Sequence, residues 1–438
     1  MKFRVYFLIL PALIILQTLS SYTIRPRKIQ KLLKRSEILN DHFTGFALYD
    51  PIEKKMIASQ HSEKYFTPAS NTKLFTFYAA LTLLKDSVPS LNYIERGDSL
   101  IFWGMADPSL LHPDFEQPLV NKLIQSGKKL FWANGHFTGD FYGIGWSYDD
   151  YNEYYQPEIS ELPVYGNVIR SSVKDGKLVS TPSFNTDSTF FLITDSTNQT
   201  GKFSLKRKIF NNVFVQPAVQ IPTSYKQEIP FKVSDEVVDK LLKLNLPNYA
   251  GMLKYQKPLI IKTLYNSITD TVIKHMLQQS DNFIAEHLLL NCAAQKNLGL
   301  NTEAVIEYMI KNHLNDLPDK PQWVDGSGLS RQNLFTPQNM VRLCEKIYEA
   351  AGSEKRLFDL LPQGGKSGTL KNQFKSETEP FVFAKTGTLS NNVNLTGYLK
   401  TRSGKTFIFS FMNNNYVSPT QEIRKEMERI LTIVHQKY

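Results

Sequence analysis

Ser70 and Lys73 stand three residues apart in TPASNTKLFT, at the head of an apolar run, LFTFYAALTLL, that reads as helix. Positions i and i+3 share one helix face, so the two side chains can hydrogen-bond. A serine hydroxyl is a weak nucleophile until a base takes its proton. A lysine amine is such a base when it is neutral, which requires burial or a neighbouring positive charge. A helix N-terminus adds positive potential and spare backbone N–H groups, from which an oxyanion hole can be made. The spacing alone is common, and Ser171 and Lys174 repeat it in a polar, turn-like stretch.

Acyl transfer through such a serine needs two further parts. One relays a proton and positions the substrate amide. The other is a cationic strand edge that holds an anionic substrate end. Ser280-Asp281-Asn282 fits the first, at the junction of two helical patterns. Lys385-Thr386-Gly387 fits the second, in a strand-like run where glycine allows close backbone approach. Other matches exist: Ser183, Ser196 and Ser390 each open a Ser-x-Asn, and Lys366-Ser367-Gly368 mimics the lysine triplet. Order and context select against them. Two of the serines fall in a β-rich stretch, the third follows the lysine triplet, and Lys366 lies in a glycine-rich loop. The selected trio is the set used by penicillin-binding proteins and class A β-lactamases.

The elements that must position these groups can be traced along the chain. TGFALYD and KKMIASQ read as two strands about a turn at Asp50-Pro51. The serine helix should begin near Ser70 and end about Lys85. From about 88 to 260, short aromatic and β-branched runs are punctuated by Gly, Pro, Asn and Asp, with one helix pattern, DEVVDKLLKL. Helical periodicity returns from about 267, and Thr336-Pro337 makes a cap and first turn. Three strand patterns, the first carrying Lys385, and a final helix close the chain. The expected division is a leader or anchor at 1–21, a catalytic domain from 22–87 plus 261–438, and a mainly β inserted domain at 88–260.

The 438 residues carry a net charge of +10, with 42% hydrophobic and 21% charged residues, as in a globular protein. The positive charge is spread out. No basic block interleaves with aromatics, so nucleic acid is not an expected partner. MKFRVYFLILPALIILQTLSSYT has the charged, apolar and small-residue parts of a secretory leader. Its apolar run is short for a membrane span, and both cleavage and retention as an anchor stay open. Two cysteines, Cys292 and Cys344, make no disulfide framework, and one bridge between them stays open. The eight histidines lack metal-ligand spacing, and no cofactor or metal is expected.

The segments TPASNTKLFT, GMADPSL, QQSDNFIAEHLL, VDGSGLSRQNLFTP and LPQGGKSGTLKNQF with FAKTGTLSNNVNLTGYL resemble the peptidase S13 family, the class C low-molecular-mass penicillin-binding proteins. The resemblance spans most of the chain after the leader. It implies the mixed α/β (α+β) penicillin-binding and β-lactamase-like transpeptidase fold with a mainly β insertion. It implies a D-Ala-D-Ala carboxypeptidase or endopeptidase, secreted to the periplasm or cell envelope, whose partners are peptidoglycan stem peptides and β-lactams. Ser70 would be the acylated nucleophile and Lys73 its base. Ser280 would relay a proton to the leaving amine, and Asn282 would hold the substrate amide. Lys385, Thr386 and Gly387 would form the strand that binds the terminal carboxylate. The N–H groups of Ser70 and Thr388 would make the oxyanion hole. In GWSYDDY, Asp150 would meet the ammonium of a diaminopimelate stem, or be one of two acids, with Asp149, in a solvated turn. KNQF at 371–374 is less basic than the family leads one to expect.

Other features read as architecture. The Asp325-Gly-Ser-Gly328 stretch is a turn lining the cleft, Glu286 and His287 belong to helix surface or packing, and the four tryptophans belong to the core. A β-lactamase shares the acylation chemistry, but no separate glutamate motif for deacylation is present. A catalytically inactive wall-binding scaffold is the remaining alternative. Peripheral membrane contact and a homodimer stay open.

Overall fold

A computed structural model describes residues 26–185, 189–256, 258 and 260–438. The leader pattern at 1–21 lies outside the described residues.

Both ends of the chain build one sheet. Its order is Val382–Leu389, Asn392–Lys400, Thr406–Asn414, Phe43–Asp50 and Lys55–Gln60, all antiparallel. Asp50 makes the turn of the first hairpin, its carboxylate accepting from the N–H groups of Ile52 and Glu53 at 3.0 Å each. The strands Asn392–Lys400 and Thr406–Asn414 are buried along nearly their whole length, because helices cover both faces of the sheet. On one face lie the helices Pro26–Arg35 and Thr420–Lys437, which set Ile29, Leu33, Ile430 and Leu431 against Phe46, Leu395 and Phe409. On the other lie the serine helix Lys73–Leu83 and the helices Asn282–Gln295 and Pro337–Ala350, packed with Phe66, Phe75, Phe335 and Ile408. Phe75 stacks on Phe335 at 4.2 Å, and truncating such a ring costs about 3–5 kcal/mol.

The helix expected from Ser70 begins later. Residues Ala69–Thr72 form a 3₁₀ turn, and the α-helix runs Lys73–Leu83. The serine therefore sits in a tight turn feeding the helix.

Between Ser87 and Ile268 stand a five-stranded mixed sheet and two three-stranded sheets. The larger has the order Tyr249–Lys254, Lys129–Asn134, Ser99–Gly104, Ser87–Arg96 and Lys262–Ile268. The helix Asp235–Asn245 is capped by the Ser234 hydroxyl and buries Val238, Leu241 and Leu242 on a core with Phe102, Trp132 and Phe231. A second helix here, Pro118–Gln125, was not anticipated, because its single buried stripe is only Leu119 and Leu123. Cys292 and Cys344 are both buried and unpaired. Among the described residues no helix is long and apolar enough to cross a membrane.

Candidate active site

Ser70 occupies the 3₁₀ turn directly after Ala69, which holds φ +49°, a left-handed conformation rare for a residue with a side chain. Close packing fixes that turn. A Cβ on Gly328 would lie 1.9 Å from the Ala69 carbonyl oxygen, and one on Gly387 would lie 2.4 Å from that of Pro68. Glycine at both positions lets the 325–330 loop and the lysine strand close on the serine from two sides.

Lys73 is fully buried. Its Nζ donates to Ser70 Oγ at 3.0 Å, Asn282 Oδ1 at 2.6 Å and the Ser327 carbonyl at 2.8 Å. Burial lowers its ammonium from the usual 10.5 to about 8, against the opposing pull of Glu286, Asp325 and Asp281. Three hydrogens meet three acceptors, and only the Ser70 hydroxyl can reverse its bond and donate back to a neutral amine.

Ser280 ends the helix Thr269–Gln279 in the left-handed conformation, φ 60°. Asp281 then caps the next helix by accepting from Ile284 N at 2.9 Å. This sharp junction presents Ser280 and Asn282 to one cleft. Asn282 Nδ2 donates to the carbonyl of Tyr155 at 2.8 Å, so the intervening segment helps to aim it. Lys385 Nζ donates to Ser280 Oγ and to the Thr386 carbonyl, at 2.8 Å each. Burial and the nearby Lys73 hold its ammonium well below the ordinary lysine range. Val382–Leu389 is the edge strand of its sheet, and Thr386 and Thr388 line the cleft from it.

The cleft measures about 1500 Å³, and Ser70, Ser280, Asn282, Thr386, Thr388 and Asp150 all border it. Lys73 and Lys385 lie buried behind it, and Gly387 packs on the serine turn. Asp150 is hydrogen-bonded to Tyr155, while Asp149 bonds Ser147 at 2.5 Å and does not border the cleft.

Among the neighbours read as architecture, Trp146 departs from its expected place in the core, Glu286 takes the packing alternative, and Asp325 organises the turn expected of it. Glu286 is not on the surface. It is buried and accepts from Gly326 N at 2.9 Å and Ser327 N at 2.7 Å, fixing the loop whose carbonyl holds Lys73. Asp325 accepts from the N–H groups of Gly328 and Ser330 and from Trp146 Nε1 at 3.0 Å. Trp146 thus lines the cleft, whereas Trp103, Trp132 and Trp323 are core. Arg170, Arg331 and Arg424 also border the cleft and carried no sequence signal that set them apart from other surface cations. Ser390, set aside by its order, borders it as well.

The family model described as D-Ala-D-Ala carboxypeptidase 3 (S13) matches residues 26–220 and 267–434. A D-alanyl-D-alanine carboxypeptidase DacB of Haemophilus influenzae is 25% identical over 417 residues, 85% of each chain. A penicillin-sensitive carboxypeptidase A of Dictyostelium discoideum is 24% identical over 446 residues, 86% of this chain and 83% of that one. The crystal structure of penicillin-binding protein 4 of Haemophilus influenzae superposes with a TM-score of 0.72 at 20% identity, covering 94% of this chain and all of that one. Its complex with a β-lactam superposes at 0.66. The likeness in fold extends over the helices and sheets described above.

Proposed function

Because the chain belongs to the D-Ala-D-Ala carboxypeptidase 3 (S13) family, we propose that it is a serine DD-peptidase of the cell envelope. It cleaves the D-Ala-D-Ala or D-Ala-diaminopimelate bond of peptidoglycan stem peptides through an acyl-enzyme on Ser70, and β-lactams arrest it at that stage. The observation that carries this reading is the buried Lys73 amine, 3.0 Å from Ser70 Oγ and with its ammonium lowered to about 8.

Neutral Lys73 takes the Ser70 proton as Oγ attacks the carbonyl carbon of the penultimate D-Ala. The backbone N–H groups of Ser70 and Thr388 receive the negative oxygen that develops. Ser280, held by Lys385, passes its hydroxyl proton to the departing amine as the C–N bond breaks and takes in its place the proton that Lys73 received, so Lys73 is neutral again. Asn282 holds the acyl-side amide. The Lys385-Thr386-Gly387 strand receives the carboxylate end. Water then attacks the ester carbonyl and gives up a proton to neutral Lys73, which returns it to Ser70 Oγ as the C–Oγ bond breaks and the acid is released. Asp150, on the cleft wall, meets the side-chain ammonium of a diaminopimelate stem. On this reading residues 88–260 form an inserted domain that supplies one wall of the substrate cleft.

Intact-mass measurement after exposure to benzylpenicillin tests the proposal. Residues 22–438 should gain one penicilloyl group, and the Ser70→Ala form none. A folded wild type that neither gains the adduct nor consumes the drug would point to the scaffold alternative. Rapid loss of drug without an adduct would point to a β-lactamase. Digestion of muropeptides by the acylatable protein then separates carboxypeptidase from endopeptidase action.

A further inference from the structure

Residues 141–154, FYGIGWSYDDYNEY, hold six aromatic side chains, and the acyl-transfer mechanism uses none of them. Trp146, Asp150 and Tyr154 border the cleft. Phe141, Ile144, Tyr148 and Tyr154 face solvent, Tyr148 with 80% of its surface exposed. Single exposed apolar groups are ordinary, but several on one short segment at the mouth of a cleft mark a binding surface. Phe210, 82% exposed, is brought to this rim by the turn at 208–212.

The rim is held rigid. Tyr148–Asn152 is a 3₁₀ turn. Gln156 Nε2 donates to the Ser147 carbonyl at 2.7 Å, and Trp146 Nε1 donates to Asp325 at 3.0 Å. The buried Arg207 ties this turn to the Phe210 segment. Its guanidinium lies 5.2 Å from the centre of the Tyr151 ring and donates to the carbonyls of Lys208 and Ile209 at 3.0 and 3.2 Å. The Asn152 amide bonds both backbone groups of Arg207, at 2.8 and 3.2 Å. Rings that are exposed yet fixed lose little freedom when they bind.

The direction of the substrate says what covers them. In a stem peptide, diaminopimelate directly precedes the two D-Ala residues, and two residues separate it from the sugar. With the diaminopimelate ammonium at Asp150, those two residues, one of them γ-linked, extend roughly 7–10 Å. At about 2 Å per residue in a 3₁₀ turn, Tyr148 stands within that reach of Asp150. Asp149 and Glu153 are exposed beside the rings, which disfavours an anionic lipid or polymer. The sugars that carry a stem, both N-acetylated, are uncharged. Their rings offer apolar C–H faces to aromatic rings, and their acetamido and hydroxyl groups match the tyrosine O–H.

We propose that the rim of Tyr148, Tyr154 and Phe210 binds the glycan strand that carries the donor stem. The enzyme then prefers stems still attached to sugar over free peptides. This rests on the acyl-enzyme reading, and the test separates the two.

The test compares wild type, Tyr148→Ala, Tyr148→Phe and Phe210→Ala. The substrates are a pentapeptide stem with and without its disaccharide, and a cross-linked dimer with and without its sugars. The wild type should favour the sugar-linked form of each pair, through KM. Tyr148→Ala and Phe210→Ala should each lose about 3- to 10-fold on the sugar-linked forms. Both should match the wild type on the free peptides and in the rate of Ser70 acylation by benzylpenicillin, which also shows that they are folded. Tyr148→Phe, which keeps the ring, should retain most of the preference. In calorimetry an N-acetylglucosamine pentamer should bind the wild type more tightly than Tyr148→Ala by the same factor. A wild type indifferent to sugar, or equal losses on both forms, would overturn the glycan site while leaving the acyl-enzyme intact. So would a dimer of the chain, or binding to phosphatidylglycerol vesicles, that disappears in Tyr148→Ala while the pentamer binds neither protein. Absence of any Ser70 adduct in the wild type would overturn the acyl-enzyme reading. In that case, or where no peptide is turned over, the pentamer alone decides the fate of the rim.

Discussion

Lys73 donates three hydrogen bonds, and two of its acceptors, an amide oxygen and a carbonyl, cannot donate in return. Losing a proton therefore leaves the lone pair directed at Ser70. With the ammonium at about 8, the base form is scarce at low pH and half present at pH 8. The rate of Ser70 acylation by benzylpenicillin should rise about tenfold per pH unit below 8 and level above it. Lys73→Met should acylate about 100- to 10,000-fold more slowly. A rate that stays flat from pH 6 to 9 would remove the lysine from the role of base. The Ser-x-x-Lys, Ser-Asp-Asn and Lys-Thr-Gly groups are legible in the sequence because chain neighbours fix their spacing. The groups behind them are not. Glu286 looks like any helix glutamate until tertiary packing buries it, and Arg424 is one of many cations until Thr388 is brought beside it.

The helix Asn282–Gln295 is buried from Phe283 to Ala293, and this is the element that fixes the site. Its first residue reaches Lys73, and Glu286, one turn on, holds the loop whose Ser327 carbonyl also reaches Lys73. Glu286→Ala would leave the N–H groups of Gly326 and Ser327 buried without acceptors, at about 1–3 kcal/mol each. Urea unfolding should register a loss of about 3 kcal/mol. Acylation should slow at least about tenfold, since a third of the lysine's anchoring moves with the loop. Glu286→Gln, which keeps one acceptor, should lose less of both. Acylation of Glu286→Ala at the wild-type rate would mean that the loop holds its place without the carboxylate. At this scale the sequence is uneven. The terminal strands and later helices follow plain periodicities. Ser87–Arg96 was obscured by Pro89, which is tolerated because the pairing with Lys262–Ile268 is irregular at that point. Pro26–Arg35 reads as a basic stretch, and its helix depends on Ile29 and Leu33 meeting the rest of the core.

Across the whole molecule, the segment 88–260 is tied to the parts of the chain before and after it by polar contacts that sequence could not pair. Tyr155 receives Asn282, Trp146 donates to Asp325, and Asn291 donates to the carbonyls of Pro89 and Met105 at 2.6 and 2.7 Å. His287 lies between these ties, fully buried. Its Nε2 accepts from Ser160 N at 3.2 Å, so its proton sits on Nδ1, which donates to the Phe283 carbonyl at 2.8 Å. A second proton would have to sit on Nε2, where it would meet the Ser160 N–H. Burial accordingly lowers the imidazole from 6.5 to about 4. The folded state therefore refuses a proton that the unfolded chain accepts, and stability falls as pH drops from 6.5 towards 4. The full gap is worth about 3 kcal/mol. The wild-type thermal midpoint should drop by several degrees over that window, beyond the drop seen in His287→Gln, whose amide keeps an acceptor for Ser160 without titrating. The same contact joins Ser160 to the helix Asn282–Gln295, so protease cleavage between 88 and 260 should quicken over the same pH range in the wild type. Parallel pH curves for wild type and His287→Gln would show that acid weakens the molecule somewhere other than at this junction.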